Sequence, residues 1–489
     1  MSPSLLFTFV IIYFVVLLTV AWYTSRHSNN ESFFIGNRNS NWMMVAFGMV
    51  GTSMTGVTFL SVPGTVGNNH FEYLQVVIGY FLGYFIVAYL LLPLYYRLHL
   101  TSIYHYLHQR FGMVAYKTGS LFFIISRTLG ATARLYLVIN VLQIFILDEM
   151  NVPFWITSSI VLIMILLYTY KGGVKTIVFT DMLQTTFMLI ALIVCIIYIM
   201  NYMNLSFFEA MNTLNVHGYT KIFNTNVNSA GFWLKQIIGG AFITVAMTGL
   251  DQEMMQKNIS VKRLKDSRKN IFTFSTIMVI VNLLFLFLGG LLYFLATTNN
   301  INVKGDDLFP TIALHYLPAW VSIIFVIGII STLFPGADGA ITAITSSFCI
   351  DILGLKRKEY INERHLKRKR IWVHLLFTVV FYLCVMVFKG INNKSIIDII
   401  LQLAGYTYGP LLGLFSFGIL TKRSVRQGYA TLIVCLLAPV LCYIISQNAV
   451  QWFSGFHIGI ELLVLNGLFT FTGLWLISVP GNVTVQREQ

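Results

Sequence analysis

Long apolar runs separated by short polar or basic connections recur from one end of the chain to the other. A membrane-spanning helix needs about 20 mostly apolar residues. Thirteen stretches qualify, at roughly 3–23, 42–67, 71–96, 118–147, 152–170, 176–202, 229–250, 271–296, 317–350, 371–388, 395–420, 427–446 and 456–478. They lack the period-two alternation of barrel strands, so the pattern predicts an all-α polytopic membrane protein with 13 transmembrane helices. The first run, Leu5 to Trp22, has no basic start, and Arg26 follows it, which reads as a retained span rather than a cleaved signal.

Composition agrees: 57% of the 489 residues are hydrophobic and 10% charged, against about 25% charged in soluble domains. The net charge of +14 is unevenly placed. Lys and Arg crowd into alternate loops, including Arg97, Arg110 and Lys117, the run Lys257–Lys269, and the run Lys356–Arg370. The opposite loops carry Lys221, Lys304, Lys389 and Lys394. The positive-inside rule makes the crowded side cytoplasmic, with the amino terminus outside and the carboxyl terminus inside a cell (inner) membrane. Orientation and contact with anionic membrane lipid therefore account for the charge without nucleic acid. The five cysteines lie in apolar segments without metal-ligand spacing. No Walker-type loop, nucleophile motif or metal-spaced histidine set is present, which argues against an ATP-driven pump or an enzyme. The longest connections, around 203–228 and 351–370, are too short for a soluble domain.

Two spans are interrupted. Gly51-Thr52-Ser53-Met54-Thr55-Gly56-Val57-Thr58 sets two glycines among hydroxyls at mid-span, and the seventh span contains Gly239-Gly240, Thr244, Thr248 and Gly249. The two lie five helices apart, an odd number, so they enter the membrane in opposite directions. Interruptions at matching places in two halves mark inverted-repeat transporters. Small-residue helix packing is the other reading, above all for Gly239-Gly240.

Four motifs together resemble the sodium/solute symporter family, which includes sodium-coupled sugar, proline, iodide and sialic acid transporters. They are Ser32–Arg38, Thr58–Gly64, Tyr170–Val174 with Thr180–Gln184, and Gly405–Gly413. The resemblance implies a single transporter domain over 1–489. It would have a leading helix (3–23), a five-plus-five inverted repeat (42–202 and 229–420) and two trailing helices (427–478). It also implies cation-coupled uptake of a small-molecule solute with no other cofactor; a monomer is compatible with this.

By the same resemblance, a shared sodium site falls on Gly51, Met54, Thr332, Pro335 and Gly336. Pro335 and Gly336 stand where hydroxyl residues are usual, so two side-chain oxygens are missing. Asp181 and Asp338 are intramembrane carboxylates, functional candidates by default. In relatives the counterpart of Asp181 helps bind a second cation with hydroxyls near 338 and 339, where this chain has Asp338 and Gly339. Either acid could instead be structural, Asp181 paired with a lysine or Asp338 protonated. Resemblance to the sialic acid branch places Ser53, Thr55, Thr58, Phe71 and Gln75 in the substrate pocket, and Thr52 joins them as a polar side chain of the broken helix. Arg127 and Arg134, seven residues apart on one helix face, suit a solute carboxylate, with Arg127 preferred; snorkelling or pairing with a helix carbonyl is the alternative. Gln402, Tyr406 and Tyr408 are further candidates. The readings left open are sodium coupling, proton-coupled or uncoupled carriage, and a transporter-like sensor.

Overall fold

The computed structural model describes residues 3–25, 40–100, 102–355, 363–391, 396–425 and 428–480. The Ser32–Arg38 motif and Lys356–Lys358 lie outside them. Apart from a two-stranded pairing of Ser424–Val425 with Ser478–Val479 and one isolated bridge, the regular structure of the described residues is helical. The principal helices are α1 (Pro3–Ser25), α2 (Trp42–Ser53), α3 (Val57–Asn69), α4 (Tyr73–Arg97), α5 (Met113–Leu147), α6 (Phe154–Tyr202), α7 (Trp233–Gly249), α8 (Gln252–Ile259), α9 (Leu264–Thr298), α10 (Ala319–Leu333), α11 (Pro335–Ser347), α12 (Glu363–Ile391), α13 (Ile396–Thr407), α14 (Gly409–Leu420), α15 (Ala430–Trp452) and α16 (Leu462–Ile477).

Among the described residues, 8 helices are long and apolar enough to cross a membrane, or 11 if each of three bent pairs is one span. Phe154–Leu167 and Leu462–Ile477 are shorter apolar segments. The sequence reads 152–170 and 176–202 as two spans with a glycine turn at Tyr170–Val174. The backbone instead stays helical through all 49 residues of α6. Glycine lowers helix propensity without forbidding a helix. At 1.5 Å per residue the backbone contour of α6 is about 74 Å, enough for two crossings of a bilayer core of about 30 Å, and Phe154–Leu167 and Thr176–Tyr202 are its two apolar segments.

The bent pairs build the centre of the molecule. α2 and α3 meet at 64°, α7 and α8 at 66°, and α13 and α14 at 44°. The first break falls at Met54–Gly56, within the predicted cluster. The second does not fall at Gly239-Gly240. Those glycines stay helical and pack tightly: a Cβ on Gly240 would stand 2.5 Å from the Val76 carbonyl of α4. The break comes at Leu250–Asp251, where Asp251 caps α8 by accepting from Met254 N at 3.1 Å.

Carbonyls freed at membrane depth need donors. Tyr95 OH donates to Gly249 O and Tyr104 OH to Leu250 O, both at 2.8 Å. At the third break Asn466 Nδ2 of α16 donates to Gly405 O at 3.0 Å and Tyr406 O at 2.9 Å. Replacing a buried donor here leaves acceptors unsatisfied, at about 1–3 kcal/mol. Asn466→Leu is therefore expected to lower the unfolding temperature of the detergent-solubilised protein more than Asn448→Leu, whose amide bonds only its own exposed helix. Equal shifts would remove Asn466 from this role.

Candidate functional site

Where the bent pairs meet α5, α6 and α11, the interior holds charge. α2 brings Thr52, α5 Arg127 and Arg134, α6 Asp181, α8 Glu253 and Lys257 with Asp251 at its cap, and α11 Asp338. Asp181, Asp251 and Asp338 are wholly buried, Glu253 and Lys257 nearly so. Lys257 Nζ lies 2.7 Å from Asp181 Oδ2 and 3.5 Å from Glu253 Oε1, and it also donates to Thr52 Oγ1. Thr52 Oγ1 in turn lies 3.0 Å from both Asp181 Oδ2 and Gly48 O, and its proton can go to only one of them. The other Glu253 oxygen receives the Arg127 guanidinium, whose Nε is 3.8 Å from Asp251 Oδ2. Tyr408 OH, at the third break, donates to Asp251 Oδ2 at 3.0 Å. Glu253 thus bridges the two cations.

Gly339 makes room for this arrangement. A Cβ there would stand 2.1 Å from Glu253 Oε1, so the absence of a side chain at this position admits the carboxylate.

Beside the network is a cavity of about 100 Å³, lined by Thr52, Ser53, Thr55, Thr58, Arg127 and Arg134 together with Tyr73, Tyr80, Thr244 and Asn282 among others. Arg127 is spent on Glu253 and Asp251. Arg134 is half-buried and has no ion-pair partner among the described residues. A second cavity of about 290 Å³ adjoins the first and is lined by Glu72, Gln75, Gln236, Asp398 and Gln402 among others. Tyr73, Ile397 and Leu401 line both and form the partition between them.

The sodium:solute symporter family model matches residues 33–434. The chain belongs to that family. A sodium/sialic acid symporter of Aliivibrio fischeri is 24% identical over 477 residues, covering 94% of this chain and 91% of its own. A sodium/sialic acid symporter of Proteus mirabilis is 21% identical over 93% of this chain and 92% of its own. A sodium-coupled monocarboxylate transporter of Mus musculus is 25% identical over 82% of this chain and 66% of its own. In fold the chain is similar to a Na+-coupled sialic acid symporter solved in a substrate-bound outward-open state, with TM-score 0.82 and 18% identity over 96% of this chain and 97% of that one. These relatives are transporters and not enzymes.

The residues expected to bind solute divide three ways in this family member. Thr52, Ser53, Thr55, Thr58, Arg127 and Arg134 share the inner cavity. Gln75 and Gln402 face the second one. Phe71 and Tyr406 line neither: Phe71 is buried with its N–H on Lys221 O at 3.1 Å, and the Tyr406 ring packs 6.1 Å from that of Tyr443.

The two halves expected to hold the shared sodium do meet. A Cβ on Gly336, at the start of α11, would lie 3.1 Å from the Thr55 methyl beside Met54. Pro335 and Gly336 bring no hydroxyl, and Thr332 Oγ1 bonds Ile329 O of its own helix at 2.7 Å. Gly51 packs against Thr185 and the Asp181 backbone of α6. Asp181 holds Lys257, and Asp338 lies within electrostatic reach of that ammonium.

Sequence reasoning missed Asp251 and Glu253 and placed Lys257 among the cytoplasmic loop charges. This is corrected: α8 is buried along its whole length. An aspartate followed by Gln252-Glu253 after Gly249 is a helix-start signal, and it was available in the sequence.

Breaking a buried pair from one side strands the other charge, at about 3–5 kcal/mol. Arg127→Gln and Glu253→Gln should each destabilise the protein strongly, and the double variant by less than the sum of the two. Unfolding midpoints measured in one detergent form the double-mutant cycle; additive effects would dissolve the Arg127–Glu253 link.

Proposed function

We propose that the protein is a secondary active transporter. It imports a small polar solute bearing a carboxylate, coupled to sodium by alternating access. One observation carries the solute class: Arg134, a guanidinium with no ion-pair partner among the described residues, lines a cavity together with hydroxyls of a broken helix. A guanidinium recognises a carboxylate through two parallel hydrogen bonds. Relatives named for sialic acid and for monocarboxylates favour an acid, and those matching the full chain favour a sugar acid over a sugar or an amino acid. This moves the solute-binding role from Arg127 to Arg134.

The 8 long helices, the three bent pairs and the two shorter apolar segments support thirteen spans in the five-plus-five layout, with the amino terminus outside and the carboxyl terminus in the cytoplasm. The second cavity then opens outward, away from the basic loops. Sodium would sit where the Met54–Gly56 break meets Pro335-Gly336. A second reading, a carrier coupled to protons or to no ion, draws on the missing hydroxyls at those two positions.

Uptake into proteoliposomes under separately imposed sodium and proton gradients, with a panel of sugars, sugar acids and amino acids, decides between them. Sodium-driven uptake of an acid is expected; uptake driven by a proton gradient alone would overturn sodium coupling. Arg134→Lys is expected to weaken an acidic solute by about 10- to 100-fold, the worth of a charged hydrogen bond, and its uncharged analogue far less. Equal losses would return Arg134 to a structural role. Reporters fused at the two ends should read opposite sides of the membrane, with Gln489 cytoplasmic.

A further inference from the structure

An ammonium buried at membrane depth costs several kcal/mol unless it is paired. Lys257 is only 2% exposed, its bonding partners come from three directions, and Asp338 of α11 acts on it from further off. Thr52 Oγ1 approaches from α2, Asp181 Oδ2 from α6 at 2.7 Å, and Glu253 Oε1 from the preceding turn of α8 at 3.5 Å. Asp181 Oδ1 is buried with no hydrogen-bond partner among the described residues. Two carboxylates and a hydroxyl around one point are the oxygen set a hard monovalent cation uses, and here a chain-borne ammonium fills it.

Two features bring the lysine and its carboxylates together. The bend of 66° between α7 and α8 carries Lys257 inward from what would otherwise continue as a loop-facing helix end. Gly339 leaves the space that the Glu253 carboxylate occupies; with a Cβ at 2.1 Å from Oε1, Glu253 would be pushed out and the cage would lose one wall.

We propose that Lys257 is a tethered cation: its ammonium occupies a cation site formed by Thr52, Asp181 and Glu253, so that no free ion is carried at this position. The cage delivers the electrostatic effect of a bound cation on α2, α6 and α8, and the charge returns with the protein at the end of each cycle. The site would accept sodium once the lysine side chain is removed. The inference rests on the cation-coupled reading only for what it means for stoichiometry; the cage itself is independent of the solute.

The test is a count of sodium bound to purified protein in detergent, by equilibrium dialysis with radioactive sodium and no solute. Because no transport is measured, it stands apart from the uptake experiment. Lys257→Ala is expected to bind one more sodium ion per chain than the unaltered protein, and Lys257→Ala/Asp181→Asn to lose that ion again. An unchanged count in folded Lys257→Ala overturns the proposal.

Because Lys257→Ala strands two carboxylates, its thermal unfolding is followed in sodium chloride and in choline chloride. A midpoint raised by sodium alone, and raised more than that of the unaltered protein, is expected. A variant unfolded in both salts, beside a folded Lys257→Met/Asp181→Asn, shows that sodium cannot replace the ammonium and overturns the proposal. Asp181→Asn with the lysine in place should keep the original count. A fall would make Asp181 a ligand of free sodium and overturn it as well.

Discussion

The centre of this transporter is organised by one carboxylate. Glu253 meets Arg127 through one oxygen and Lys257 through the other. Each cation has a second acid, Asp251 for Arg127 and Asp181 for Lys257. Charges taken out of water are tolerated only in such mutual company. The consequence is geometric: α5, α6 and α8 are held at the positions these pairs require, with α2 attached through Thr52 and the third break through Tyr408. Packing around this chain of charges is apolar and adaptable, whereas the ionic contacts fix which helix faces which.

The chain of pairs also divides labour between two arginines that look equivalent in sequence. They lie on one helix face and line one cavity. Arg127 is neutralised from within the protein. Arg134 forms no ion pair among the described residues, although Glu253 and Asp251 act on it from a distance. One helix thus carries one guanidinium tied into the scaffold and one facing the cavity without an ion pair.

Much of the fold was legible because lipid imposes simple rules. Apolar length marked the chain as a many-helix membrane protein, and glycines among hydroxyls located the first break. The carboxylates Asp181 and Asp338 stood out as charges within apolar stretches. The rest was hidden for identifiable reasons. Lys257 sits near a run of truly basic positions, Lys262 to Lys269, so counting charges by loop swept it to the surface. Gly239-Gly240 resembled a break but serves close packing against α4, and only the contacts of a folded structure separate these uses of glycine. Preference between Arg127 and Arg134 turned on Glu253, a residue that falls outside every apolar run. The continuous backbone of α6 through Gly172-Gly173 likewise has no marker in local propensity.

The broken helices are capped by their neighbours. Tyr95 and Tyr104 hold the carbonyls before α8, and Asn466 holds those before α14. A hinge whose exposed carbonyls are bonded across to another element does not flex by degrees, because any intermediate angle leaves an acceptor bare in a medium without water. Such joints work like latches, each angle fastened by a hydrogen bond to a neighbouring helix, and turning one requires another partner for the carbonyl it releases.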